Sequence, residues 1–319
     1  METNKTPSEA GRWVRTLEGY KAFRPHPLPP EITWTPRLVR ILSQADSLLG
    51  RLAGEGRRLP NPHVLIRPFI RREAVYSSRI EGTQVTLGEL LAAEAGAIPE
   101  RSPEDLREVG NYVTALEHGL KRLKTLPLSL RLVRELPPFL DGNGRVGRLL
   151  ITLSLCARSV LPEPLLYLSA FFEATRADYY DSLRGVTEKG DWAGWIEYFL
   201  NGVARQSEDA LSRAERINQQ LARWRDDFAG GGSKVPLQLI DLIAANPFLG
   251  PRDTERRLSV SYNTVMRAIE ALERGGVVSK VGDSKRDRVF CARAILDILE
   301  EPARLVPEAI APRRRSTRS

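Results

Sequence analysis

One stretch constrains this chain more than any other: Pro137-Pro138-Phe139-Leu140-Asp141-Gly142-Asn143-Gly144-Arg145-Val146-Gly147-Arg148. Its two prolines forbid helix just ahead of it, because each lacks an N–H and pushes the preceding residue toward extended geometry. Asp-Gly-Asn-Gly then supplies residues that tolerate positive φ and tight turning. From Arg145 onward, RVGRLLITLSLCAR reads as a largely apolar helix. The pattern predicts a glycine-rich loop feeding the N-terminus of a buried helix, where backbone N–H groups and the helix dipole favour an anion. Arg145 and Arg148 are three apart, on one helix face, and both can reach that anion. The competing reading is a tight turn followed by a helix with solvated arginines. Prolines, an acidic residue, two glycines around Asn and two spaced arginines together favour a phosphate cradle over that turn.

At 319 residues the chain suggests about two domains on a length prior. Hydrophobic residues make up 42%, enough for a core. No apolar run approaches the roughly 20 residues of a membrane span. METNKTPSEAGRW carries no apolar signal core, so a cytoplasmic protein without membrane contact is expected. Two cysteines, Cys156 and Cys291, argue against a disulfide or zinc framework and fit a reducing compartment. His26, His63 and His118 show no metal-ligand spacing. The formal net charge of +8 suits nucleic acid or another acidic partner. Part of it lies in APRRRSTRS, within a basic tail over 301–319 that reads as solvated and disordered.

Residues 1–33 read as a polar, then proline-rich, extended arm, and a helix ended by glycines completes an N-terminal segment over 1–59. Asn61-Pro62 opens the next helix, which contains Pro68 and stops at Gly82. Near its end Ser77 and Glu81 are four apart, on one face. Thr86 with Glu89 forms a capping box, and Ser102-Pro103 starts another helix. Residues 126–136 read as one more helix, and Pro137 follows it without a loop. The aromatics Phe171, Phe172, Tyr179, Tyr180, Trp192, Trp195, Tyr198 and Phe199 read mostly as core. Gly230-Gly231-Gly232-Ser233 is the linker. Beyond it, 234–300 reads as a helix, a helix-turn-helix with Ser261 as N-cap, and a hairpin whose polar turn includes Gly282 and Lys285. The expected class is all-α, with one small β element near the C-terminus.

The string from Phe139 to Arg148 resembles the signature of Fic (Fido) proteins, which mostly transfer AMP from ATP to a protein hydroxyl. The resemblance spans roughly residues 60–230 and implies a Fic-like helical domain over 60–229. It implies that Gly142, Asn143 and Gly144 line the anion hole, that Arg145 contacts phosphates, and that Val146, Gly147 and Arg148 complete the nucleotide-binding set. Asp141 would hold Mg²⁺, a hard cation suited to oxygen ligands. Ser77, Glu81 and Gly82 resemble the family's inhibitory motif, on a helix near 62–82. In it the glutamate pairs with the second arginine, Arg148, and keeps it from the γ-phosphate. The implied cofactors are ATP and Mg²⁺, and the implied partner is a protein bearing a Ser, Thr or Tyr hydroxyl, or the chain itself. A homodimer is compatible with it.

Two departures qualify this expectation. The signature normally begins with His, which serves as general base, and Pro137 stands there, so no catalytic residue is assigned. Such a loss typically lowers the rate by about 10²–10⁴. The family's flap, which docks the target segment, has no counterpart between Leu136 and Pro137, which suggests an internal deletion at 136/137. The C-terminal segment resembles a winged helix-turn-helix, which implies DNA contacts from Tyr262, Asn263, Thr264 and Arg267 and from the wing residues Lys280, Lys285, Arg286 and Arg288. Against this, residues 234–300 hold 11 Lys and Arg and 9 Asp and Glu, a surplus of only two. Three readings follow: an AMP transferase impaired by Pro137, a DNA-binding regulator whose Fic-like module only binds nucleotide, and a scaffold or truncated product without function.

Overall fold

The computed structural model describes residues 10–58, 62–97, 103–136, 143–282 and 288–303. Ahead of the helices, β1 (Gly11–Arg15) and β2 (Lys21–Pro25) form an antiparallel hairpin in which Trp13 faces Phe23. The sequence predicts only an extended arm here. Neither strand carries a clear apolar alternation, and Gly19, at φ +89°, makes the turn.

Nine helices follow: α1 (Pro36–Arg58), α2 (Pro62–Ile80), α3 (Leu87–Glu94), α4 (Pro103–Arg122), α5 (Leu130–Glu135), α6 (Asn143–Ala157), α7 (Ser169–Ala174), α8 (Arg176–Lys189) and α9 (Trp192–Phe228). The long α1 and α9 pack along each other. The glycines expected to end the first helix lie inside α1. A methyl group on Gly56 would come within 3.0 Å of Leu165 Cδ1, so its bare backbone serves close packing. Pro68 sits inside α2. Thr86 caps α3 with the predicted capping box, and Glu89 returns the bond. The helix predicted over 126–136 is shorter, because Ser129 caps it and the chain before Leu130 is turn. Phe171, Phe172 and Tyr179 are buried, and Phe172 stacks on Tyr179 with ring centroids 4.7 Å apart.

After Gly230–Ser233 come α10 (Val235–Ala245), β3 (Phe248–Leu249), α11 (Pro251–Leu258), α12 (Tyr262–Arg274), β4 (Ser279–Val281), β5 (Val289–Cys291) and α13 (Arg293–Glu300). The antiparallel sheet has the order β3-β5-β4, with Lys280 opposite Phe290 and Leu249 opposite Phe290 on the other side. The sequence missed β3, because two residues offer no period to read. Ser261 caps α12 as predicted, accepting the Thr264 N–H. Val265, Ile269 and Leu272 point inward as the expected stripe.

The molecule is thus mostly helical, with α2 at its centre, against α3, α4, α6, α7, α10 and α13. The end of α13 is seated by arginines from two other helices. Arg72 of α2 donates to the Leu299 carbonyl at 3.1 Å. Arg213 of α9 donates to the carbonyls of Ile298, Glu301 (2.9 Å) and Pro302 (3.1 Å). These carbonyls are left without partners inside the helix, and the dipole there favours cations. Asp209 lies between the guanidiniums, 2.7 Å from Arg213 and 3.7 Å from Arg72. Burial first, and then the neighbouring Arg213, lower the pKa of Arg72 below its ordinary value, and Asp209 opposes them. Removing one member of such a buried group leaves charge without compensation, at about 3–5 kcal/mol. Arg213→Ala should therefore lower the melting temperature by several degrees, and a thermal melt matching the parent would contradict this seating.

Candidate functional site

The site forms where the end of α2 meets the start of α6. The chain leaves α2 through a wound turn: the Ser78 carbonyl accepts the Glu81 N–H at 3.0 Å, the Thr83 N–H at 3.2 Å and the Thr83 hydroxyl at 2.7 Å. Gly82 takes φ +108°, a conformation that side chains with a Cβ resist. That turn aims Glu81 at the first turn of α6. Arg148, only 3% exposed, donates from NH2 to Glu81 Oε1 at 2.7 Å and to the Ser77 carbonyl at 2.9 Å. Its Nε donates to Ser77 Oγ at 2.8 Å. Spacing puts Ser77 and Glu81 on one face and the resemblance implies Arg148 as the partner of Glu81; here the three are hydrogen-bonded together.

Glu81 Oε1 also lies directly over Gly144, where an added methyl group would collide with it. A carboxylate thus sits at the N-terminal turn of α6, where free N–H groups and the dipole attract negative charge. Arg145, also buried, turns instead to α4, with NH1 2.7 Å from Glu108 Oε2. Asn143, Gly144 and Gly147 are exposed on the same first turns, and Val146 is partly buried. Asp141 and Gly142 lie outside the described residues, as does Pro137. Among the described residues, no group of three His, Cys, Asp or Glu could hold a metal ion.

Behind the ion pair lies a layer that sequence reasoning missed. Glu73, 2% exposed on α2, accepts the Ser169 N–H at 3.0 Å, the Ser169 hydroxyl at 2.5 Å and the Tyr112 hydroxyl at 3.2 Å. Tyr112 also bonds Ser77, which ties this layer to Arg148. Burial raises the Glu73 carboxyl above the usual range, although Ser169, Arg148 and Tyr112 all oppose it. Burial also pushes the Tyr112 hydroxyl well up, with Glu73 adding to it. Burial would lower the pKa of Arg148, but bonds from Glu81 and Tyr179 outweigh it and leave it raised. The partners of Glu73 come from 39 and 96 residues away, beyond the reach of local sequence rules. Thr175 bonds the Tyr198 hydroxyl at 2.8 Å.

The C-terminal candidates divide. Asn263 and Arg267 are exposed, four apart on one face of α12, and Lys280 and Arg288 are exposed on the sheet. Thr264 is half-buried and bonded to Ser261 at 2.9 Å. Tyr262 is half-buried and, with Arg288, lines an open groove of about 1090 Å³ beside Ala95 and Gly96. Lys285 and Arg286 lie outside the described residues.

Fold and site define a helical protein whose anion-attracting helix start is covered by an acid from a neighbouring helix. The Fic/DOC family N-terminal model matches residues 39–121. A protein adenylyltransferase, fic-1 of Caenorhabditis elegans, is 32% identical over 145 residues, which are 44% of this chain and 25% of that protein. The fic-1 of Caenorhabditis briggsae is 30% identical over 141 residues, with the same shares. A solved Fic family protein from Desulfovibrio desulfuricans G20 aligns at 17% identity and a TM-score of 0.46, over 83% of this chain and 98% of that one. The family-model match and the two fic-1 proteins make this chain similar to Fic proteins, with the family-model match confined to residues 39–121. It spans about a quarter of the length of the curated relatives it matches.

Glu73 binds its proton more tightly folded than unfolded. Its stabilising contribution is therefore present below the ordinary carboxylate range and is lost as pH rises through the raised value. Glu73→Gln removes that loss. Thermal melts across pH should show the variant gaining on the parent from acid to neutral, and a constant offset would contradict it.

Proposed function

We propose that this chain is a Fic-type protein AMP transferase by descent, held off its nucleotide by Glu81 and lacking the base for efficient transfer. The observation that carries this reading is the Glu81 carboxylate over Gly144, bonded to Arg148 at 2.7 Å. An ATP phosphate seeking the same helix start and the same guanidinium competes with Glu81 for both. With Glu81 withdrawn, Arg148 would be free to hold the γ-phosphate and Arg145 a neighbouring phosphate, and Asp141 would hold Mg²⁺, which would supply positive charge against the phosphates. The attacking hydroxyl of the target protein must lose its proton, and Pro137 offers no acceptor. The seam at 136/137 also leaves no flap to hold the target.

The Fic relatives named protein adenylyltransferases support the reaction class. No helix among the described residues is long and apolar enough to cross a membrane. Glu81→Gly should tighten ATP–Mg²⁺ binding on the order of tenfold, read as a larger upward shift of the melting temperature with nucleotide. ATP labelled on its α-phosphate should leave both the parent and the variant at background label. Robust transfer by either would overturn the loss of catalysis, and an unchanged nucleotide shift would overturn the role of Glu81.

A second reading, DNA binding through α12, is favoured by the exposed pair Asn263 and Arg267 with Lys280 and Arg288 nearby. It predicts a mobility shift on duplex DNA that weakens as salt rises and is lost in Arg267→Ala. A shift unchanged by both would count against it.

A further inference from the structure

The β1–β2 hairpin has features that a free surface element does not need. Of the nine large apolar side chains left exposed among the described residues, five fall between Trp13 and Trp34. Trp13 is 53% exposed and Tyr20 58%. The cross-strand register sets Arg12 opposite Arg24 on one face and Arg15 opposite Lys21 on the other. Like charges directly opposite each other destabilise a hairpin. None of the four cations has a carboxylate partner among the described residues, although Arg15 Nε donates weakly to the Gly19 carbonyl at 3.3 Å. A hairpin of two strands is itself marginal without a third.

The register also shows which edge is open. The Thr16 N–H bonds Tyr20 O at 2.9 Å, and the His26 N–H bonds Ala10 O at 3.0 Å. By alternation, Val14 with Ala22 and Arg12 with Arg24 exchange the inner bonds. The N–H and C=O groups of Gly11, Trp13 and Arg15 therefore point outward from β1. The matching outward positions on β2 are Lys21, Phe23 and Pro25, and Pro25 has no N–H to offer. Among the described residues β1 pairs with β2 alone.

We propose that the outer edge of β1 binds an acidic peptide segment of a partner protein as a third strand. A strand added there sends side chains to both faces at once, so it can answer Arg12 on one face and Arg15 on the other. A ligand lying on a single face reaches only one of the two. The register further specifies the segment. Residues opposite Arg12 and Arg15 are acidic, and the two between them, opposite Trp13 and Val14, are apolar. A second copy of this basic hairpin does not meet that requirement.

The test uses the full chain and a fluorescein-labelled peptide Ser-Glu-Val-Ile-Glu-Thr, followed by anisotropy. Binding is expected to weaken about tenfold in Arg12→Glu/Arg15→Glu, to persist in Arg12→Lys/Arg15→Lys, and to fall steeply with salt. A peptide N-methylated on the backbone edge that faces β1 is expected not to bind. Thermal melts equal to the parent's check that the variants stay folded. Equal binding of the N-methylated peptide, or no effect of the glutamate pair in a folded variant, overturns the proposal. So does tighter binding of a single-stranded oligonucleotide or of anionic phosphatidylserine vesicles than of the acidic peptide.

Discussion

The core of this protein depends on how it buries guanidinium groups. Arg71, Arg72, Arg145, Arg148 and Arg213 all lie within it. A charge moved out of water without partners is prohibitively costly, so each of these side chains dictates where acceptors must sit. Arg71 takes Glu94 and Glu117, Arg145 takes Glu108, Arg148 takes Ser77 and Glu81, and Arg72 and Arg213 share Asp209 and the end of α13. Helix α2 supplies three of the five arginines or their acceptors along one length. Its position at the centre follows from that demand as much as from its apolar residues.

On the proposed reading, Glu81 is a structural residue and a functional one together. Its carboxylate helps satisfy a buried cation that would otherwise be left with Ser77 and Tyr179, and it lies where an anion is most welcome on α6. A phosphate can replace it only by offering Arg148 an equal partner. Helix α2, whose end leads into the turn that carries Glu81, also holds Arg72 against the end of α13, so Glu81 and the C-terminal elements share one support. Glu73 and Tyr112 sit between these two ends, on the layer that holds Ser77 in place.

The likeness to Fic proteins and catalytic competence rest on different residues. The likeness to Fic proteins rests on the N-terminal match and on the helix start from Asn143 onward. Proton removal needs one side-chain acceptor at one position, and proline supplies none. A protein can therefore keep the cradle and its cover while losing the chemistry they once served. This is the physical content of the proposal that nucleotide binding and transfer are separated in this chain.

What the sequence alone determined is local. The helix start at α6, the capping box at Thr86 and the cap at Ser261, the stop at Gly82, and the placing of Ser77 and Glu81 on one face all follow from rules acting within a few residues. The resemblance carried the pairing of Glu81 with Arg148 across 67 positions, and spacing alone would not have done so. Only the tertiary structure decided the rest. Glu108, Glu73, Tyr112 and Ser169 became site residues because distant helices met there. The glycines of α1 stayed helical because Leu165 packs against one of them, and the extended arm became a hairpin whose register sets cation against cation. The physical reason is range: backbone propensity and capping act over a turn, whereas a buried charge recruits whatever acceptor the packing brings to it.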